Sequence, residues 1–255
     1  MATDPKATRT LREHFKRVRN AEKAYTRQLV SVARQLGIIV RGFAPTGVVT
    51  DLPMLMETLQ RYENVLDPWA NAVAERMVLD VNLRDKNAWF ATAKEINQNL
   101  REEIESAPTG LVMRRLIAEQ VAEIKSLPRF AATRIYELAT EAHISGTRSS
   151  QIAAEIAATE DVSVGRAKMI AKSAVSTAST TLVEARALHV GSPGYFWRTS
   201  ENEDVRKDHK ILNGKFFRWD DPPVVDRRSG FRSHPGCNAN CMCWPQVVLP
   251  EPELR

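Results

Sequence analysis

Residues 234–245 read His234-Pro235-Gly236-Cys237-Asn238-Ala239-Asn240-Cys241-Met242-Cys243-Trp244-Pro245 and include all three cysteines of the 255-residue chain. The segment is polar and contains prolines, so it cannot build a hydrophobic core of its own. Thiolate and imidazole are ligands that Zn²⁺ prefers, and a structural zinc site uses four ligands in a tetrahedron. We therefore predict a Zn²⁺ ion held by side chains from this segment and from a histidine twenty-five residues before it; the candidates are His209, His234, Cys237, Cys241 and Cys243.

These cysteines are poor candidates for a disulfide. Cys241 and Cys243 are separated by a single residue, and a bond between them would be strained. An odd number of cysteines also disfavours a disulfide framework. The first residues of the chain lack the apolar core of a secretory signal, so free cysteines fit synthesis in a reducing cytosol. The alternative to a zinc site is a set of reduced, partly buried thiols beside a hydrogen-bonded histidine.

The sequence changes character at Gly194. Before it, apolar residues recur every three or four positions, which predicts helices. Asp51 is expected to cap one of them, and Pro128 is expected to separate two others. After Gly194, aromatic residues are frequent and the helical period is lost. Tyr195–Thr199 is then predicted as a strand, and Asn213-Gly214 as the turn of a tight hairpin.

These patterns predict an α+β fold, with a mainly α-helical body and a small C-terminal β-containing module. The module should be stabilised by zinc, because a domain with so small a hydrophobic core needs a cross-link such as a bound metal ion. We predict three parts. Residues 1–45 form a basic N-terminal helix or arm, residues 46–190 form the helical body, and residues 191–255 form the β-containing metal-binding module and a tail.

The N-terminal region combines an apolar stripe with an excess of positive charge. The stripe predicts a helix that ends near Gly37 and Gly42 and packs on another helix of this chain or of a neighbouring subunit; it comprises Leu11, Phe15, Val18, Tyr25, Leu29, Val32 and Leu36. The basic residues can bind DNA phosphates or an acidic protein surface, although a solvated helix face is the alternative. Those assigned to a partner are Arg9, Arg12, Lys16, Arg17, Arg19, Lys23 and Arg27.

Several classes of function find no support in the sequence. The sequence contains no run of about 18 apolar residues, which is the length needed to span a membrane. There is no phosphate-binding glycine-rich loop and no dinucleotide-binding fingerprint. His14, His143 and His189 lie in predicted helices without a nucleophile motif nearby. These motifs therefore give no support to Ser/His/Asp catalysis or to a nucleotide-binding enzyme.

Five short motifs follow one another along residues 150–248: Arg166-Ala167-Lys168-Met169-Ile170-Ala171, Trp197-Arg198-Thr199, Asp204-Val205-Arg206-Lys207-Asp208-His209, Leu212-Asn213-Gly214, and His234-Pro235-Gly236 ahead of Cys241-Met242-Cys243-Trp244-Pro245. In this order they resemble the C-terminal domain of the phage Mu F-like minor head proteins, also called head morphogenesis proteins. The family usually has arginine at the position of Met242, and Cys237 is an additional thiol. The second departure makes the ligand set ambiguous.

The resemblance implies a structural minor capsid protein of a tailed phage that acts in head assembly, and we therefore do not expect an enzyme. Its expected partners are the portal protein, the major capsid protein or both, and in some cases packaged double-stranded DNA, bound non-specifically. It would be made in the host cytoplasm and reside in the virion, inside the capsid or at the portal vertex, in multiple copies. The residues that match the family's ligands are His209, His234, Cys241 and Cys243, with Cys237 in reserve.

Two other functions fit some of the same residues. A metal-dependent nuclease of the His-Asn-His type would use Asp208-His209, Asn213 and His234. It is weakened because a histidine that binds zinc cannot also act as a base. A zinc-stabilised DNA-binding module would contact phosphates through its basic residues. Acidic residues are interleaved with these basic residues, so the local charge is mixed. The basic residues are Arg206, Lys207, Lys210, Lys215 and Arg218.

Overall fold

The computed structural model describes residues 5–96, 106–145, 149–200 and 203–250. Helices make up most of the chain: α1 (Pro5–Phe43), α2 (Leu52–Val65), α3 (Asp67–Ile96), α4 (Thr109–Ser145), α5 (Ser149–Ala157) and α6 (Thr159–His189). Short strands and one short helix follow: β1 (Gly194–Arg198), α7 (Lys207–Leu212), β2 (Phe216–Phe217), β3 (Val224–Asp226), β4 (Phe231–Arg232) and β5 (Trp244–Val248). The predicted α+β class, with a helical body and a small C-terminal β-containing part, is confirmed.

Helix α1 buries the part of its apolar stripe whose side chains are described. Val18, Tyr25, Leu29, Val32 and Leu36 are all buried within this chain, whereas Leu11 and Phe15 lie outside the residues with described side chains. The predicted end near Gly37 and Gly42 lies close to the observed one, because the helix passes Gly37 and ends at Phe43, next to Gly42. A Cβ atom at Gly37 would overlap the side chain of Glu160. This glycine therefore marks a close approach of two helices rather than a helix end.

Two local predictions in the helices have different outcomes. Asp51 caps α2 as expected, since its side chain accepts a hydrogen bond from the backbone N–H of Met54 at 2.9 Å. The predicted break at Pro128 is wrong, because this proline lies inside α4. Ile124, Leu127, Ala131 and Ile135 are buried on both sides of it. Their packing compensates for the backbone hydrogen bond that proline removes.

The chain divides into two compact units. One consists of residues 23–76 and 117–171, and its described secondary-structure elements are all helices. Its segments are joined by polar contacts as well as by apolar packing: Tyr25 donates a hydrogen bond to Gln120, and Lys125 pairs with Asp67 at 2.7 Å. We call it the helical unit. The predicted division at residues 45 and 190 stays a prediction.

The other unit consists of residues 1–22, 77–116 and 172–255 and contains all the described strands. Strand β1 lies at the centre of an antiparallel sheet with the order β2-β1-β5, and β3 pairs with β4. We call residues 194–248 the C-terminal module. Its core includes Tyr195, Trp197 and Trp219, and it packs against Val183 and Ala187 of α6.

The predicted hairpin at Asn213-Gly214 is wrong. Residues 207–212 form α7 instead of a strand, and β2 pairs with β1. His209 and Leu212 are buried three positions apart, which is the spacing of one helix face. Gly214, with φ of 79°, then supplies the left-handed turn that leads into β2.

A buried ion pair links two helices of the same unit. Arg186 of α6 binds the carboxylate of Asp85 in α3, and the two side chains are only 2% and 1% exposed. Arg186 also donates to Asn82 at 2.7 Å. Burial raises the pKa of Asp85 to about 6, and the charge of Arg186 opposes that rise.

Candidate metal centre

Three predicted ligands lie together in the C-terminal module. His209 lies on α7, and Cys241 and Cys243 lie just before β5. Their exposures are 2%, 4% and 2%. The Nδ1 atom of His209 is 3.5 Å from the sulfur of Cys241 and 3.6 Å from that of Cys243, and the possible ligand atoms all lie within 4.8 Å of one another. This group could hold a metal ion.

The histidine is fixed by apolar packing. Its ring meets that of Trp197 edge to face, with 5.4 Å between the ring centroids. Because Nδ1 faces both sulfurs, this nitrogen is the one available to a metal. The Nε2 atom is buried and has no hydrogen-bond partner among the described residues. The ring is therefore positioned by its packing against Trp197 and by the contacts of Nδ1 with the two sulfurs.

The cysteine loop is shaped by turn residues. The backbone N–H of Cys241 donates to the carbonyl of Asn238 at 2.9 Å, and Asn240 has a left-handed φ of 56°. Gly236 also has a positive φ, 85°, and its N–H lies 3.4 Å from the sulfur of Cys241. A backbone donor at this position stabilises a thiolate. The loop is thus suited to an ionised Cys241.

Helix α6 anchors this loop through small polar side chains. Ser176 donates to the carbonyl of Cys241 at 3.0 Å, and Thr180 donates to that of Pro235 at 2.6 Å. The backbone N–H of Asn240 donates to Ser173 at 3.0 Å. Sequence reasoning did not identify these three residues. The sequence does contain a signal for them, since polar residues at positions 173, 176 and 180 are spaced so that they lie on one face of a helix.

The two thiols of the centre titrate as a pair. The contact with Cys243 is the main cause that lowers the pKa of Cys241, and His209 adds to it. The same contact raises the pKa of Cys243 far above its ordinary value. One thiol therefore ionises readily, whereas the second needs a cation to lose its proton. A bound divalent metal would supply that charge, because metal ligands such as cysteine bind in their deprotonated form.

The other two candidate ligands have different surroundings. His234 shares a hydrogen bond with the hydroxyl of Tyr195 through Nδ1 at 2.9 Å, and its Nε2 is 3.5 Å from Glu184. Burial lowers the pKa of His234. For Cys237, burial followed by the charge of Glu184 raises the pKa to about 12, which keeps this thiol protonated. The structure does not bring either side chain into the group formed by His209, Cys241 and Cys243.

Residues assigned to other functions are placed as follows. Arg19, Lys23 and Arg27 are exposed on α1, and the remaining basic candidates, Arg9, Arg12, Lys16 and Arg17, precede the residues with described side chains. Of the residues considered for a nuclease, Asn213 accepts a hydrogen bond from the backbone N–H of Thr199 at 3.1 Å. Asp208 accepts one from the N–H of Arg227 at 3.2 Å. These contacts join neighbouring segments of the module.

Hydropathy adds one finding about the helices. None of those in the described part of the chain is both long and apolar enough to cross a membrane.

Comparisons with known proteins agree with the motifs. Residues 133–245 match the family described as Phage Mu protein F like protein. A protein of Haemophilus influenzae, named only as uncharacterized, is 29% identical over 134 residues; the match covers 52% of this chain and 29% of that relative. No solved structure matches the chain significantly. The matched segment contains His209, Cys241 and Cys243, and the predicted resemblance to the phage Mu F-like head morphogenesis proteins is thus confirmed over residues 133–245.

Proposed function

We propose that this protein is a structural minor head protein of a tailed phage that acts in head assembly near the portal. The observation that carries the proposal is the family match over residues 133–245. The described surroundings of the His–Cys group also suit a structural role, since its three side chains are almost completely buried. Its place would be in the virion, at the portal vertex or inside the capsid.

A structural Zn²⁺ ion is part of the proposal. Thiolates and imidazoles are the usual donors in structural zinc sites, and the N–H of Gly236 supports the thiolate of Cys241. When bound, zinc would supply a cross-link between α7 and the segment before β5. His209 would contribute Nδ1, and Cys241 and Cys243 would contribute their sulfurs. The ion would thereby hold together a module whose strands are only two to five residues long.

The partner surface would include the basic side of α1. The described part of the apolar stripe is already buried within this chain, so it is not available to a second subunit. Arg19, Lys23 and Arg27 remain exposed. They would meet an acidic surface of the portal or major capsid protein, or phosphates of packaged DNA without sequence preference.

Co-expression tests the proposed assembly role. The protein would be produced together with the portal and major capsid proteins of its phage, and the particles would be separated by sedimentation. We expect it to sediment with the particles. Substitution of Arg19, Lys23 and Arg27 by glutamate should reduce its content in the particles. A protein that binds neither the portal nor the capsid would contradict the proposal.

A DNA assay separates this function from the nuclease alternative. Binding to duplex DNA should weaken steeply as salt is added, because the contacts are electrostatic. Incubation of supercoiled plasmid with the protein and Mg²⁺ or Mn²⁺ should leave the plasmid intact. Metal-dependent cutting that disappears in His209→Ala would instead favour a nuclease.

A further inference from the structure

A cavity of about 370 Å³ lies beside the candidate metal centre. His209, Cys241 and Cys243 all contribute to its wall, together with Asp204 and Arg206. The last two are exposed on the protein surface, so the cavity is accessible to solvent. The buried ligand group therefore borders solvent-accessible space on one side.

Within the described part of the chain, the centre supplies three of the four ligands that tetrahedral zinc requires. Among the described residues, the group of close His, Cys, Asp and Glu side chains consists of these three. His234 does not complete it in this structure, because its two ring nitrogens face Tyr195 and Glu184. Sites with three protein ligands leave one position for a ligand from solution.

Charge favours such an arrangement. Two thiolates and Zn²⁺ sum to zero, so a complex with a neutral fourth ligand can be buried at low electrostatic cost. An anion in the fourth position would add one negative charge. Lys172 and Arg206 on the cavity wall could balance it. Arg206 is held there because it donates to the carbonyl of Ala239 at 2.8 Å.

We propose that the fourth coordination position of the metal faces this cavity and is taken by an exchangeable ligand, a water molecule or a small anion. The inference rests on the zinc centre proposed above. It assigns Arg206 and Lys172 to the binding of the anion. It also gives His234 a structural role, in which it connects β1 to α6 through Tyr195 and Glu184.

Cobalt substitution with azide as the probe tests this inference. Co²⁺ replaces Zn²⁺ in tetrahedral sites, and its visible spectrum reports the ligands and their geometry. We expect azide to change the spectrum of the Co²⁺ protein in a saturable manner. Arg206→Gln and Lys172→Gln should each weaken the apparent affinity for azide roughly three- to tenfold, because one favourable charge is removed near the surface. His234→Gln should retain the spectrum and the response to azide.

The outcomes separate this inference from the proposed metal centre. A folded protein that binds no Co²⁺ would contradict both. A Co²⁺ protein whose spectrum azide does not change would contradict the exchangeable position alone. A response to azide that emerges only in Asp204→Asn would also overturn it, since the fourth ligand would then be the carboxylate of Asp204.

Discussion

The helical unit and the C-terminal module are stabilised in different ways. In the helical unit, long helices bury large aliphatic side chains such as Leu29, Leu36, Leu55 and Leu59. The module has strands of two to five residues and long loops, and its core rests on a few aromatic rings. Short strands are only marginally stable without additional packing or cross-links. Loss of a single ligand side chain can therefore lower the stability of the module more than loss of a single apolar side chain lowers that of the helices.

Loss of a metal ligand should cause the largest loss of stability, and this loss should be confined to the C-terminal module. Zinc contributes about 10–16 kcal/mol of apparent binding free energy in zinc-finger peptides. Cys241→Ser or Cys243→Ser should therefore unfold the C-terminal module while the helices persist. Near-UV circular dichroism from Trp197, Trp219 and Trp244 should collapse, and the far-UV helical signal should change little.

Cys237→Ser is the matched control for this experiment. Its thiol lies in the same loop but outside the ligand group, so the variant should keep both the metal and the near-UV signal. Unchanged tryptophan spectra in Cys241→Ser and Cys243→Ser would mean that the cysteines are merely buried.

Removal of the buried arginine should have the next largest effect. Arg186→Met leaves the carboxylate of Asp85 buried without its cation, which costs about 3–5 kcal/mol. Urea denaturation should show this loss in the free energy of unfolding. The double variant Asp85→Leu/Arg186→Met should recover most of it. A single variant as stable as the wild type would show that the pair contributes nothing to the packing of α3 and α6.

Glycine substitutions separate backbone strain from close packing in the module. Gly236→Ala adds a Cβ atom 2.7 Å from the hydroxyl of Ser176 at a φ of 85°, and should cost about 2–4 kcal/mol. Gly230→Ala has a similar φ, 72°, but open space around it, so only the strain of about 1–2 kcal/mol is expected. Metal affinity should fall only in Gly236→Ala. Equal losses in the two variants would remove the role assigned to α6.

The smallest effect is expected from the cap of α2. Asp51→Ala removes the hydrogen bond to the N–H of Met54 and should cost about 0.5–2 kcal/mol in the helical unit. Metal content and the near-UV spectrum should not change. Asp51→Asn is the control, since asparagine caps helices equally well. A loss of metal in Asp51→Ala would mean that the two regions are not independent.

The sequence predicts local features of this fold better than those that depend on distant residues. The change from helix to strand near Gly194 and the cap at Asp51 follow from neighbouring residues. By contrast, Gly37 lies within a helix, and the lack of space for a side chain there comes from Glu160, more than a hundred residues away. Pro128 stays inside α4 because apolar packing on both sides outweighs the local preference for a break.

The same distinction applies to the candidate metal centre. Residue types alone suggested five ligands, and spacing could not choose among them. The positions of His209 and Cys243 depend on the packing of α7 and β5 around Trp197. The contact between His234 and Tyr195 depends on where the loop meets β1. Neither relation is encoded in a short stretch of sequence.

The metal content of the purified protein decides whether His209, Cys241 and Cys243 form a zinc site. The protein would be purified under reducing conditions without added metal or chelator, its fold checked by circular dichroism, and its metals measured by elemental analysis. We expect about one Zn²⁺ per chain in the wild type and in His234→Gln, and none in the double variant Cys241→Ser/Cys243→Ser. A folded, reduced wild-type protein that contains no metal would contradict this expectation.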